Sequence, residues 1–127
     1  MIAVDTNVLV RLLTGDDPVQ AKRAADLFSR EGIYIPKSVL LETEWVLRYS
    51  YALNPAVILS SLRKVLGLPQ VTVEDAVSVA EALAGYAEGM DFADALHLAS
   101  STRHADEFAT FDVRLKKRSA SQRVRQL

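Results

Sequence analysis

The sequence predicts an α/β fold with a short, mainly parallel central sheet of about four or five strands and helices on both faces. Two observations carry that prediction. Short β-rich runs, IAVD, IYIP, QVTV and FAT, alternate along the chain with segments of helical period. The helical segments are framed by start and stop residues: Asp17-Pro18 and Asn54-Pro55 at two starts, and Gly15, Gly32, Gly67 and Gly89 near the ends. At 127 residues the chain fits a single domain, residues 1–127, long enough to bury most of its apolar surface around one core.

Taken in order, IAVD is the first strand, three apolar residues ending in Asp5. A helix follows over about Thr6 to Leu13 and meets Gly15. Asp17 can N-cap the next helix and Pro18 suits its first turn; Ala21, Ala24, Ala25, Leu27 and Phe28 then fall on one side, and Gly32 ends it. IYIP is the second strand, and Ser38 to Tyr51 reads as helix. Asn54-Pro55 opens a helix to Gly67, QVTV (70–73) is the third strand, and a helix runs from Glu74 to about Ala87 until Gly89 breaks it. A helix from about Asp91 to His104, the strand FAT, a helical turn near Val113 and a possible fifth strand, RVRQL, complete the chain. There is no repeat, low-complexity segment or linker.

Half the residues are apolar and 24% charged, the composition of an ordinary globular protein. The absence of cysteine excludes a disulfide scaffold and a thiolate metal site, and is compatible with a reducing cytoplasm, the expected location. Asp5 interrupts the apolar start MIAVDTNVLVRLL and no basic leader frames it, so no export signal is read. No apolar run approaches the roughly 20 residues of a membrane helix. The net charge of −1 conceals an asymmetry. Arg114, Lys116, Lys117, Arg118, Arg123 and Arg125 give the segment from Arg114 to Leu127 a charge of +6, leaving −7 on the rest. A basic strip beside an acidic pocket suits an enzyme that grips a polyanion, and it equally suits a solvated helix end.

Four carboxylates lie inside segments that read as buried: Asp5 after IAV, Glu42 in VLLETEW, Asp94 in FADALHLA and Asp112 after FATF. Each isolated ionised carboxylate removed from water costs several kcal/mol, so a group of them calls for a cation. Asp5 stands at the carboxyl end of a strand, where open parallel sheets bind ligands, and could instead cap the following helix. Thr6 and Asn7 add polar groups there. At about 100° per residue Glu42 falls among Val39, Trp45, Val46 and Tyr49, the face expected to be buried, whereas Glu44 faces elsewhere, an ordinary surface partner for Arg48. Asp91 and Asp94, three apart at a helix start, resemble a capping box, with Asp94 bordering the apolar face. His97 and His104 read as surface residues and give no zinc site. Asp112 repeats the arrangement of strand then acid, with the hydroxyl of Thr110 nearby and a cap as its alternative role.

Brought together, two acids at strand ends and two on helices form an all-oxygen cluster, which selects Mg²⁺ or Mn²⁺. Such ions bind phosphates and activate water for displacement at phosphorus. Other chemistries lack their parts: there is no GxxxxGK[ST] loop, GxGxxG turn, GxSxG elbow or cysteine nucleophile. A haloacid-dehalogenase-like phosphatase needs a second Asp two residues after the first, where this chain has Asn7.

With DTN (Asp5, Thr6, Asn7), LLETEW (Glu42), DFADALHLA (Asp94) and ATFD (Thr110, Asp112) in that order, the chain resembles a PIN-domain ribonuclease, in size and layout a VapC-type toxin of a toxin–antitoxin pair. The resemblance covers nearly the whole chain and implies a three-layer PIN-like fold. It implies that Asp5, Glu42, Asp94 and Asp112 bind Mg²⁺ or Mn²⁺ for endonucleolytic cleavage of single-stranded RNA, with Thr6, Asn7, Thr110 and the extra acid Asp91 as auxiliaries. Arg114, Lys116, Lys117 and Arg118 would then hold flanking phosphates. A homodimer and a small inhibitory antitoxin are the partners it implies. Alternatives are a related nuclease acting in RNA processing or on DNA, and a non-catalytic RNA-binding domain on the same fold.

Overall fold

Seven helices and five short strands make up the described residues, 1–119 and 123–127, of the computed structural model. The fold is mixed α/β, and every strand pairing is parallel, as the alternation of elements requires. Hydrogen bonding groups the strands into a sheet of three and a sheet of two, and the chain divides into two compact units, Met1–Ala76 and Val77–Leu127.

The first unit carries β1 (Ile2–Ala3), α1 (Thr6–Thr14), α2 (Pro18–Arg30), β2 (Ile33–Ile35), α3 (Lys37–Tyr49), α4 (Pro55–Leu66) and β3 (Val71–Val73). Its sheet has the order β1-β2-β3, with Ile2 opposite Ile33 and Ile33 opposite Val71. Parallel neighbours need long crossovers, which α1 with α2 and α3 with α4 supply. Local chemistry sets the helix ends. Asp5, Asp17 and Asn54 accept from the backbone N–H groups of Val8, Gln20 and Val57, and Gly15 closes α1 in the left-handed conformation at φ 66°. Leu9, Ile33, Ile35, Leu40, Ile58 and Leu62 are wholly buried, each worth about 1.5–3 kcal/mol in transfer from water.

Two boundaries answer to distant residues. α3 begins after Pro36, which has no capping side chain, and Oε1 of Glu74 accepts from the Lys37 N–H at 2.9 Å instead. With Glu74 so engaged and Asp75 at φ 53°, the helix expected from Glu74 starts at Ala76.

The rotation of α3 also departs from expectation. Its buried positions are Leu40, Thr43, Glu44 and Leu47, while Glu42, Trp45 and Tyr49 are exposed. Glu42, Trp45 and Tyr49 therefore face outward with Val46 half-buried at their edge, and Glu44, expected at the surface, is 1% exposed. The reason is that the two polar groups on the inner face are satisfied. Thr43 donates to the Val39 carbonyl at 2.7 Å, and Arg48 donates to both oxygens of Glu44 at 2.9 and 3.2 Å. A carboxylate so paired can be buried.

The second unit holds α5 from its second residue onward (Ala76–Ala87), α6 (Phe92–Ser101), β4 (Phe108–Thr110), α7 (Val113–Ser119) and β5 (Val124–Gln126). Val79, Ala82, Leu96 and Leu115 are buried, and Tyr86 meets Phe92 edge to face at 5.3 Å. β4 pairs with β5, Phe108 opposite Val124, so the last residues do form the fifth strand. Gly89 sits at φ 97°, and a Cβ there would stand 2.7 Å from Nη1 of Arg118, which donates to the Gly89 carbonyl at 2.8 Å. The positive φ favours glycine, whereas the Arg118 guanidinium, at the end of a flexible side chain, could move aside. No helix among the described residues is long and apolar enough to cross a membrane.

Candidate active site

The acids of the first unit lie at the start of α1 and in the second turn of α3. Asp5 follows β1 and caps α1, Oδ1 accepting from the Val8 N–H at 3.3 Å. The cap uses one oxygen, and Oδ2 accepts no hydrogen bond from the described residues, so a capping Asp5 retains a ligand atom. Thr6 is buried, and its hydroxyl donates to Oε1 of Glu42 in a short hydrogen bond that ties α1 to α3. Asn7 is exposed in the same turn. Neither Asp5 nor Glu42 is buried, contrary to the expectation that their segments would enclose them.

The second unit holds the other candidate acids, Asp91, Asp94 and Asp112. Asp91 caps α6 by accepting from the Asp94 N–H at 3.1 Å, the capping role its spacing offered. Asp94 is half-buried, and its carboxyl is pushed above the usual carboxylate range, first by burial, then by the negative charges of Asp91 and Asp112, with His97 opposing. Asp112 is exposed and caps α7: Oδ1 accepts from the N–H groups of Arg114 at 2.8 Å and Leu115 at 3.3 Å. Thr110 fixes that turn, its hydroxyl accepting from the Asp112 N–H at 3.0 Å. Cap and ligand, alternatives in the sequence, are compatible here too, because both caps on Asp112 converge on one oxygen.

No three His, Cys, Asp or Glu side chains among the described residues already form a metal-holding group. The donors nonetheless fit a hard divalent cation. They are carboxylate oxygens only, and Asp94 is crowded by like charge that a cation would relieve.

The four basic residues near α7 divide by environment. Lys116 is half-buried and donates to the Val124 carbonyl at 2.6 Å, and Arg118 holds the Gly89 carbonyl. These two brace β5 and the α5–α6 turn. Arg114 and Lys117 are exposed and make no ion pair among the described residues. Two features escaped the sequence reading. The Thr6–Glu42 bond joins distant positions and has no local signature. The face of Trp45 and Tyr49 is legible as a stripe, but large aromatics are usually buried, so periodicity alone points it inward.

The PIN domain family matches residues 2–120, which carry all four acids and both threonines. No curated protein matches the chain.

Proposed function

The chain belongs to the PIN-domain family, whose members are generally nucleases, and on that premise we propose that it is a Mg²⁺- or Mn²⁺-dependent endoribonuclease. Its residues 1–127 act as one domain. The observation that carries this reading is the half-buried Asp94 carboxyl, pushed above its usual range by burial and then by the charges of Asp91 and Asp112, a repulsion that a bound cation would relieve. Asp5, Glu42, Asp94 and Asp112 are the residues to hold it. When bound, a divalent cation supplies charge neutralisation at the phosphate and an activated water.

The chain's own residues orient that chemistry. Thr6 fixes the Glu42 carboxylate, leaving Oε2 directed by the same bond. Asp5 and Asp112 are held by their caps with Oδ2 available, and Thr110 locks the turn behind Asp112. A cation would favour the ionised form of Asp94, whose carboxyl is held above the usual range by burial and by the charges of Asp91 and Asp112. Arg114 and Lys117 are exposed and would meet flanking phosphates, a contact that positions RNA without reading its sequence.

The biological role that fits this size and layout is the toxin of a cytoplasmic toxin–antitoxin pair, a homodimer held inactive by a small antitoxin. Such an antitoxin would find apolar surface on the first unit in a groove of about 390 Å³ whose lining includes Asn7, Val8, Ala24 and Leu27. The deciding experiment is incubation of the purified chain with RNA in Mg²⁺, in Mn²⁺ and in EDTA, beside Asp94→Asn. Metal-dependent cleavage that the variant lacks is the expected result. Equal cleavage by wild type and variant, or none by wild type in either metal, removes the reading.

A further inference from the structure

Glu42, Trp45 and Tyr49 occupy positions i, i+3 and i+7 of α3, so they form one outward stripe. Along the axis, Trp45 lies about 4.5 Å and Tyr49 about 10.5 Å beyond Glu42. Trp45 is 54% and Tyr49 61% exposed, a large apolar area to leave in water. The rings are held in place. Their centroids stand 5.0 Å apart with planes tilted by 43°, so Tyr49 braces Trp45 without stacking flat against it. The guanidinium of Arg48 lies 4.6 Å from the Tyr49 centroid, and Nη1 reaches the Tyr49 hydroxyl at 3.2 Å. Arg48 is in turn held by both oxygens of the buried Glu44. A buried carboxylate, an arginine and two exposed aromatics thus form one chain of contacts, ending on the face that carries Glu42.

We propose that Trp45, braced by Tyr49 and Arg48, is a stacking platform for an unpaired base of the RNA next to the bond presented at Glu42. The proposal rests on the nuclease reading above. Every base has a π-face, so an exposed aromatic ring held in place grips a single strand without reading its sequence, and a base already paired and stacked in a duplex is not available to it. A second copy of this chain is the other occupant to weigh. It fits less well, because a self-complementary interface on this stripe would desolvate Glu42 while the one cation of the stripe, Arg48, is engaged by Glu44. Preorganisation by Glu44 lowers the cost of ordering the rings on binding.

Trp45 is the only tryptophan in the chain, so its emission reports the contact directly. The Asp94→Asn chain, expected to leave RNA intact, is titrated with a short unstructured oligoribonucleotide, with the same strand in a duplex, and with inorganic polyphosphate. Saturable quenching by the single strand alone is expected. Trp45→Ala should bind the single strand roughly 5- to 150-fold more weakly, the range for loss of one base–aromatic stack, while Trp45→Phe stays near wild type. Glu44→Gln should weaken binding through release of Arg48, with the emission maximum of Trp45 shifted in the free protein. Affinity unchanged in Trp45→Ala, or equal quenching by polyphosphate, overturns the platform, as does a wild-type dimer that Trp45→Ala dissociates without loss of RNA affinity. The two readings fail separately. Cleavage by wild type with no effect of Trp45 keeps the nuclease and removes the platform, whereas single-strand quenching without cleavage in either metal keeps the platform and removes the nuclease.

Discussion

The hydroxyl of Thr6, in the first turn of α1, donates to Oε1 of Glu42 on α3, joining a helix that begins at a strand end to one that begins after the next strand. The donor is buried and the acceptor residue exposed, so the bond fixes one oxygen of a carboxylate that lies at the surface. Removing it should matter more for chemistry than for folding. Thr6→Val is expected to lower metal affinity or cleavage by about 10- to 100-fold, the usual cost of losing a residue that orients a metal ligand. Thr6→Ser should restore most of it, as read from the metal dependence of RNA cleavage. Equal activity in Thr6→Val and wild type refutes an orienting role.

Asp94 gives a stability test that needs no substrate. Its carboxyl titrates above the unfolded value of 3.8 because of burial, Asp91 and Asp112, so the folded protein binds that proton more tightly than the unfolded chain. The group's contribution is fully present below the unfolded pKa and is lost as pH rises through the folded one. Metal-free Asp94→Asn should therefore melt above wild type near neutral pH, with the difference closing on acidification. Parallel melting curves across that range would show that Asp94 is not crowded.

Asp112 combines a cap with a charge, and two substitutions separate them. Asn keeps the oxygen that accepts from Arg114 and Leu115, so Asp112→Asn should melt above wild type in EDTA by relieving repulsion. Ala loses the cap as well, at about 0.5–2 kcal/mol. Millimolar Mg²⁺ should invert the order of wild type and Asp112→Asn, because wild type binds the stabilising ligand better. Calorimetry in both conditions decides it, and the absence of a crossing removes Asp112 from the metal site.

The basic residues should fall into two classes. Replacing exposed Arg114 and Lys117 with Gln is expected to reduce the slope of log affinity against log salt by up to about 1.4, at roughly 0.7 per phosphate of a single strand. Lys116→Gln and Arg118→Gln should instead lower the melting temperature, since they release the carbonyls of Val124 and Gly89. Salt-slope changes confined to the second pair would reverse the assignment.

Acid should loosen the first unit through Asp16. The Tyr51 hydroxyl, more than Thr14 or Arg11, holds the Asp16 carboxyl below 3.8. Its stabilisation is present above the unfolded pKa and lost as pH falls through the depressed folded one. Tyr51→Phe should move the acid unfolding midpoint to higher pH, and an unmoved midpoint in acid titration followed by circular dichroism would count against it.

What the sequence determined by itself is what acts within one turn of the chain. Asp5, Asp17, Asn54 and Asp91 cap the helices they precede, Gly15 and Gly89 take positive φ, and the order of strands and helices follows. The four acids were legible as residues of interest because each follows or interrupts an apolar run. Tertiary structure decided whatever depends on a partner far along the chain. α3 turned its less apolar face inward because Arg48 satisfies Glu44 and Leu40 and Leu47 fill the core, and this left Glu42 beside Trp45 and Tyr49 in solvent. Glu74 moved a helix start by bonding Lys37, Lys116 and Arg118 became braces where a charge count predicts a solvated strip, and Asp94 acquired its raised pKa first from burial and then from the charges of Asp91 and Asp112. A periodicity names the two faces of a helix, but which face is buried depends on whether the polar groups there find partners, and those partners exist only once the chain has folded.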